Sequence, residues 1–205
     1  MTHAKKDPRV IRTQRLLRAA LIDLMEERGL EQITVQDIAE RATVKRATFY
    51  LHYEDKQALL TQCIDELLNE LREQVDVAES DYGSFDYLSG EPHPSFVRLF
   101  HHISVHYNFY TAMLVKNRVA PFAEGLLKVI HEFVSRGIDR TEPDDGNLTA
   151  RREVVVKYVE SAFLEVIIWW LERQMPYSES DMAAQLMNLS IHGPYIRIPG
   201  RRNPQ

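Results

Sequence analysis

A chain of 205 residues, 44% of them apolar, is long and apolar enough for one or two domains with a real core. It has no run of about 18 apolar residues and no apolar signal segment at its N-terminus, which excludes a membrane span and predicts a soluble, cytoplasmic protein. Its single cysteine, Cys63, excludes an internal disulfide and any multi-cysteine metal site.

The formal net charge of -5 is divided unequally along the chain. Residues 1–56 carry 11 Lys or Arg against nine Asp or Glu, a sum of +2, so the remainder carries -7. The N-terminal part would therefore attract nucleic acid, and the acidic remainder would be repelled from it and help to orient the approach.

The first predicted helix begins at Asp7 and Pro8. Aspartate is a good N-cap, and proline is favoured at the first helical position. Residues 1–6 before it are expected to be a flexible basic arm. Apolar residues then recur at helical spacing as far as Gly29, which fits a C-terminal cap.

The pattern of residues 34–53 indicates two short helices joined by a tight turn. Thr34 is a good N-cap, and Asp37 favours the positive end of the helix dipole. The second helix is expected from about residue 45 to residue 52, with Ala47 and Phe49 facing the core. Its other side chains carry hydrogen-bond donors outward, as on surfaces that contact phosphates and base edges. They are Lys45, Arg46, Thr48, Tyr50 and His52.

Residues 7–68 resemble the DNA-binding domain of the TetR family of bacterial transcriptional regulators. The resemblance is carried by Ala19-Ala20-Leu21, by Glu27-Arg28-Gly29, by the run from Thr34 to Ala39, and by the run from Arg46 to Leu60. It implies an all-α protein with a three-helix DNA-binding head and a larger C-terminal helical domain that binds a small molecule and dimerises. It further implies the usual action of the family, which is repression of transcription relieved by that ligand.

The resemblance also implies how the head would contact a near-palindromic operator in double-stranded DNA. Arg46 is the candidate for base or phosphate recognition, and Thr48 for either kind of contact. Leu51 is a candidate for contact with a thymine methyl group. The candidates for contacts with the DNA backbone are Thr34, Lys45, Tyr50, His52 and Lys56.

Two positions depart from the pattern of the family. Thr43 stands where the family most often has a glycine suited to a left-handed turn, and we expect a turn of another type because a β-branched residue is strained at positive φ. Lys45 stands where the family often has a serine or asparagine cap. Lysine cannot cap a helix N-terminus, so its expected use is to pair with a DNA phosphate.

The domain boundary is placed at the start of a long fourth helix, near Lys56. Residues 7–56 would form the helix-turn-helix DNA-binding domain, and residues 57–192 the helical ligand-binding and dimerisation domain. A stretch rich in glycine and proline over residues 80–95 is the best candidate for a linker. Residues 193–205 are expected to be a flexible tail.

Beyond the linker, the pattern predicts helices over residues 96–107, 119–136, 151–173 and 180–191, with Gly137 ending the second of them. The third is apolar on more than one side. Either it pairs with the fourth in a four-helix dimer interface, or both are core of one protomer. The candidate interface residues are Phe163, Ile167, Trp170, Leu186 and Leu189.

The aromatic residues of the second half either form ordinary core or wall a pocket for an apolar or aromatic effector, with Phe100, His106 and Tyr110 as candidate pocket residues. His102 and His106 share a helix face, but a zinc protease would need the missing glutamate of His-Glu-x-x-His, so no metal is expected. No phosphate loop or nucleophilic triad stands out, and we expect neither a cofactor nor an enzyme. The alternative class is a helical protein-interaction or ligand-carrying module that does not bind DNA.

Overall fold

A computed structural model describes residues 7–75, 85, 91–146 and 148–193, and no strand occurs in these ranges. The predicted all-α fold is confirmed. The helices are α1 Pro8–Glu27, α2 Val35–Arg41, α3 Arg46–Tyr50, α4 Lys56–Val75, α5 Pro94–Val105, α6 Tyr107–Tyr110, α7 Ala120–Thr141, α8 Arg152–Glu172 and α9 Glu179–His192. Leu30–Gln32 is a 3-10 turn and Thr111–Lys116 is π-helical. The predicted arm, nearly all of the predicted tail and most of the predicted linker lie outside the described residues.

The chain forms two compact units, each built from two stretches of sequence. Unit 1 contains residues up to 70 together with residues 107–126, and unit 2 contains residues 71–106 together with the chain from residue 127 onward. The boundary expected after residue 56 falls inside unit 1, because the first part of α4 packs with the helices before it.

In unit 1, α1 begins as predicted. The Asp7 carboxylate accepts a hydrogen bond from the backbone N–H of Arg9 at 2.8 Å, and Pro8 occupies the first helical position. The helix ends at Glu27. The prediction that Gly29 caps it was wrong, because Gly29 has a φ of -61° and leads directly into the 3-10 turn instead of adopting a left-handed conformation.

The second stretch of unit 1, residues 107–126, packs against α1 through α6 and the π-helical segment. Met113, Tyr110 and Phe122 are fully buried there. Gly125 allows α7 to approach α4 closely, since a Cβ atom at this position would collide with the side chain of Leu68. Residues far apart in sequence therefore complete one core.

Cys63 on α4 is part of this core. Its side chain is buried, and burial raises the pKa of the thiol to about 11. A thiol with a raised pKa forms little of the reactive thiolate at neutral pH. Cys63 is therefore a packing residue of this core.

In unit 2, α5 begins at Pro94 with His93 as its N-cap, and it packs against α9. α8 and α9 lie within one residue of their predicted ends. The prediction that Gly137 ends a helix was wrong. α7 continues through Gly137 to Thr141, because glycine lowers helix stability without forbidding the helical conformation.

None of the helices in the described residues is long and apolar enough to cross a membrane.

Candidate nucleic-acid interface

The start of α2 is fixed by a reciprocal pair of hydrogen bonds. The Thr34 hydroxyl accepts from the backbone N–H of Asp37 at 3.2 Å, and the Asp37 carboxylate accepts from the backbone N–H of Thr34 at 2.8 Å. Hydrogen bonds from Thr34, followed by the ion pair with Arg28 at 3.1 Å, hold the pKa of Asp37 below its usual range. The Thr34 hydroxyl, a candidate DNA contact, is therefore already used to cap the helix.

The turn between α2 and α3 is left-handed at Thr43, which has a φ of +56°. Backbone N–H groups of Thr43 and Val44 donate to the carbonyl oxygens of Glu40 and Ala39 at 3.0 and 2.9 Å, the hydrogen-bond pattern of a Schellman motif. The expectation of another turn type was wrong. These two bonds hold the turn in its usual form although a β-branched residue is strained there.

α3 is anchored by one aromatic side chain. Phe49 is fully buried, and its ring lies 5.7 Å from that of Tyr53 and 5.6 Å from that of Tyr50. Lys45 occupies the N-cap position and its side chain makes no capping bond, as its chemistry requires. Ala47 was expected in the core and is instead exposed, so Phe49 alone holds the inner face of this short helix.

The outer face of α3 is cationic and aromatic. Lys45, Arg46, Tyr50 and Leu51 are exposed, and Leu51 shows 81% of its surface. Arg46 donates to the Tyr50 hydroxyl at 3.2 Å, with its guanidinium carbon 5.6 Å from the centre of the Tyr50 ring. In the described part of the chain, no carboxylate forms an ion pair with Lys45 or Arg46. Both charges can therefore contact an external anion.

The remaining polar candidates are less accessible. Thr48 and His52 are half-buried, and the His52 ring lies 6.4 Å from the ring of Tyr53. Their side chains are therefore only partly accessible to an external partner.

Lys56 has a structural role that the sequence did not suggest. Its ammonium group donates to the carbonyl oxygens of Leu30 at 2.7 Å and of Ile33 at 2.8 Å. An ammonium group has three N–H donors, so these two bonds leave one for a phosphate. Lys56 joins the start of α4 to the 3-10 turn that precedes α2.

The opposite side of that turn is held by residues from the second stretch of unit 1. Asn117 accepts a hydrogen bond from the N–H of Leu30 and donates to the carbonyl oxygen of Met25, and Lys116 donates to the carbonyl oxygen of Glu26. Sequence reasoning missed Asn117 and Lys116. Their partners lie about 90 residues earlier in the chain, and no local pattern indicates such a pairing.

Four of the five side chains predicted for a dimer interface are buried inside the protomer: Phe163, Ile167, Trp170 and Leu186. The Trp170 ring, for example, packs on Phe100 at 5.3 Å, and its Nε1–H donates to the carbonyl oxygen of Tyr177 at 3.0 Å. These four are not available to a second copy, whereas Leu189 is exposed. The large apolar residues that α8 exposes are Val154, Tyr158 and Trp169.

The three candidate pocket residues lie in different surroundings. Phe100 is fully buried in unit 2, and Tyr110 is fully buried in unit 1, where its ring packs 5.4 Å from that of Phe122. His106 is half-buried, with its ring 4.5 Å from that of His102. Their assignment to a pocket stays a prediction.

Comparison with known proteins agrees with this geometry. A family model described as "Bacterial regulatory proteins, tetR family" matches residues 16–63, and one described as "Transcriptional regulator C-terminal region" matches residues 90–192. The uncharacterized HTH-type transcriptional regulator YxbF of Bacillus subtilis is 36% identical over 75 residues, which are 36% of this chain and 20% of that protein. The tetracycline repressor protein class A of Escherichia coli is 37% identical over 71 residues, 34% of this chain and 32% of the repressor.

The dhaKLM operon transcriptional activator DhaS of Lactococcus lactis is 32% identical over 71 residues, 35% of this chain and 36% of the activator. A solved structure of DhaS superposes with a TM-score of 0.59 at 21% identity, covering 88% of this chain and 94% of DhaS. The sequence matches therefore span at most about a third of the length of these curated relatives, while the fold similarity extends over nearly the whole chain.

The family models, together with the exposed cationic helix of the helix-turn-helix, identify the protein as a DNA-binding transcriptional regulator, a class that is not enzymatic. The two family models together cover most of the sequence. The chain belongs to the TetR family of bacterial transcriptional regulators.

Proposed function

We propose that this regulator is a homodimeric repressor that acts in the cytoplasm, binds a near-palindromic operator and is released from it by a small apolar or aromatic molecule. The observation that carries the proposal is the outer face of α3, where Lys45 and Arg46 are exposed beside Tyr50 and Leu51. Exposed cationic side chains beside an aromatic hydroxyl and an apolar side chain are the groups that contact phosphates and base edges in DNA.

The chemistry of each side chain suggests its contact with DNA. The planar guanidinium of Arg46 suits guanine or a phosphate, and the ammonium of Lys45 suits a phosphate. Leu51 suits a thymine methyl group, and the small exposed Ala47 lets the helix approach the bases closely. Thr48, Tyr50, His52 and Lys56 would bind the DNA backbone beside these contacts. Thr34 is withdrawn from this set, because its hydroxyl and its backbone N–H both donate to the Asp37 carboxylate.

The dimer would form through exposed apolar residues of α8 and α9. Val154, Tyr158 and Trp169 follow one another at intervals of four and 11 residues, which places them on one face of α8, and Tyr158 is 69% exposed. With Leu189 of α9 they offer an apolar surface to a second copy. Two heads would then meet half-sites about one helical turn of DNA apart, or a multiple of it.

The test is selection from random duplex DNA by the purified protein at a stated salt concentration near physiological, since affinity for DNA depends strongly on salt. We expect a palindromic motif to be enriched. Arg46→Ala and Tyr50→Ala should each weaken binding to that motif by about 1–3 kcal/mol, and Lys128→Ala, at an exposed lysine of unit 2, should not. A folded dimer that enriches no motif would instead support the interaction-module alternative.

The dimer and the direction of regulation need separate tests. Tyr158→Glu should lower the mass measured by sedimentation to that of a monomer, whereas Lys128→Ala, at an exposed position of α7, should leave it unchanged. Because DhaS is named an activator and the tetracycline repressor a repressor, a reporter gene behind the selected motif must decide between the two. Higher expression with the regulator than without it would contradict repression.

A further inference from the structure

Two histidines lie one helical turn apart at the C-terminal end of α5, where His106 is the C-cap. The backbone N–H of His106 donates to the carbonyl oxygen of His102 at 3.1 Å, so the turn between them keeps the helical hydrogen bond. Side chains four residues apart on a helix lie on the same face. The centres of the two imidazole rings are accordingly 4.5 Å apart, and the ring planes are inclined by 44°.

The separation of the two rings suits a shared metal ion. One ring nitrogen of His102 lies within 4.8 Å of one ring nitrogen of His106. Two imidazole nitrogens that bind the same zinc ion tetrahedrally, each about 2.0–2.1 Å from it, are about 3.3 Å apart. Rotation about the side-chain bonds can close the remaining distance, because χ2 of histidine has a broad range of allowed values.

The two histidines differ in exposure, as expected for a site at the edge of a core. His102 is 1% exposed, and Leu99 and Ile103 beside it on α5 are also buried. His106 is half-buried. Apolar surroundings limit the access of competing water to a bound ion, and they thereby tune the site. The half-buried ring of His106 leaves a path by which an ion can enter.

The neighbouring histidine of the same helix has a different environment. His101 is exposed, and its Nδ1 lies 2.9 Å from a carboxylate oxygen of Glu179, the first residue of α9. Consecutive residues of a helix are about 100° apart around its axis, so His101 lies on another face of α5 than His102. His101 therefore provides a control on the same helix.

From the shared helix face, the ring separation and the burial, we infer that His102 and His106 bind one divalent transition-metal ion of the class of Zn²⁺, Co²⁺ and Ni²⁺. Imidazole nitrogen suits these ions, whereas Mg²⁺ and Ca²⁺ prefer oxygen ligands. Water or further oxygen ligands would complete the coordination. The expectation of no metal was drawn from the missing glutamate of His-Glu-x-x-His, which a zinc protease needs for catalysis and a binding site does not.

The experiment uses the whole untagged protein, which is stripped of metal with EDTA, freed of EDTA and titrated with Co²⁺ alone and with Zn²⁺ alone. We expect both ions to bind. At a concentration about 100 times the dissociation constant, each should raise the melting temperature by about 5 °C or more. No binding of either ion at millimolar concentration, or equally tight binding of Mg²⁺, would overturn the inference.

Variants locate the ion. His106→Gln removes the half-buried imidazole with little change in volume and should weaken Zn²⁺ binding by about tenfold or more. His102→Asn should do the same for the buried ring. His101→Gln is the matched control and should keep the affinity for Zn²⁺ within a factor of about two. Wild-type affinity in His106→Gln would place the ion elsewhere and overturn the inference.

The melting temperatures of the metal-free variants show whether each one folds. Because His106 is only half-buried, His106→Gln keeps the test valid even if His102→Asn does not fold. Zn²⁺ should raise the melting temperature of the wild type and of His101→Gln, and it should raise that of His106→Gln much less at the same concentration. Shifts of equal size in all three proteins would also overturn the inference. None of these measurements involves DNA, so their outcome does not depend on the proposed function.

Discussion

The side-chain oxygen of Asn117 accepts a hydrogen bond of 2.7 Å from the backbone N–H of Leu30, 87 residues earlier in the chain. The amide nitrogen of Asn117 donates to the carbonyl oxygens of Met25 and Ala112, each at 2.9 Å. One side chain thus satisfies backbone groups at the end of α1, at the 3-10 turn and in the π-helical segment.

Asn117→Ala should lower the free energy of unfolding by about 1–3 kcal/mol, because partly buried backbone groups lose their hydrogen-bond partners. Urea unfolding followed by circular dichroism measures the change. Asn108→Ala, at an exposed position of α6, is the control and should change stability by no more than about 0.5 kcal/mol. Equal effects of the two substitutions would show that the hydrogen bonds of Asn117 do not contribute measurably to the free energy of unfolding.

Substitutions of Lys56 and Lys45 should distinguish a lysine that stabilises the fold from a lysine that binds DNA. Lys56→Met should lower the free energy of unfolding by about 1–3 kcal/mol, because the carbonyl groups of Leu30 and Ile33 lose a charged donor. Lys45→Met should leave the free energy of unfolding nearly unchanged. It should reduce the magnitude of the negative slope of log affinity against log salt concentration by about 1, because it removes one phosphate contact. Urea unfolding and DNA titration at several salt concentrations provide both measurements for each variant. A stable Lys56→Met protein with a reduced salt slope would restore the phosphate role as its main one.

Thr43→Gly should stabilise the protein by about 0.5–1 kcal/mol. Glycine removes the strain of a β-branched residue at a φ of +56°, and part of that gain is offset by the greater freedom of glycine in the unfolded chain. Thermal unfolding measures the effect, and Thr43→Ala, which keeps a Cβ atom, should gain less. A lower melting temperature for Thr43→Gly would mean that the Thr43 side chain contributes a contact that outweighs the strain.

The stability of unit 2 should depend on pH through Glu160, which is buried at the middle of α8. Burial raises the pKa of this carboxyl group, but hydrogen bonds from Lys157 and His131, each 2.7 Å long, together lower it more. The net pKa is lowered, so the folded state binds fewer protons than the unfolded state. The contribution of Glu160 is therefore present above the unfolded pKa of about 4.3 and is lost as pH falls through the lower folded pKa.

Glu160→Gln should accordingly be less stable than the wild type at pH 7, by about 1–3 kcal/mol, with a difference that persists down to a pH of about 4.3 and shrinks as the pH falls further, through the folded pKa. Urea unfolding across this range tests it. Glu165→Gln, at an exposed position of the same helix, should show no such trend. A difference that does not depend on pH would mean that Glu160 contributes through its shape and not its charge.

The features that sequence reasoning predicted correctly are those that neighbouring residues decide. Asp7 and Pro8 start α1, and Thr34 and Asp37 start α2, because a helix cap is made within four residues. The length and apolar character of α8 likewise follow from its own residues. The family was recognisable because its motif is a continuous run.

Other features were predicted wrongly or missed. They depend on residues far away in the sequence, or on conformations that the local sequence disfavours but still allows. Thr43 adopts a conformation against its own preference because the crossing of α2 and α3 imposes it. Gly137 stays helical because glycine lowers the stability of a helix without forbidding the helical conformation. The helix α8 is apolar on more than one side, so its sequence does not decide which side packs against the core. Phe163 and Trp170 were therefore candidates for an interface, whereas both are buried in the protomer.

Unit 1 is discontinuous in sequence, and this has a consequence for the newly made chain. A ribosome releases α1 to α4 first, yet the backbone N–H of Leu30 lacks its partner until Asn117 has emerged. The whole helix-turn-helix motif thus exists in the nascent polypeptide before the fold that supports it is complete. A message truncated before codon 117 would encode every candidate DNA contact and still yield a poorly supported head, so regulatory competence is acquired late in translation.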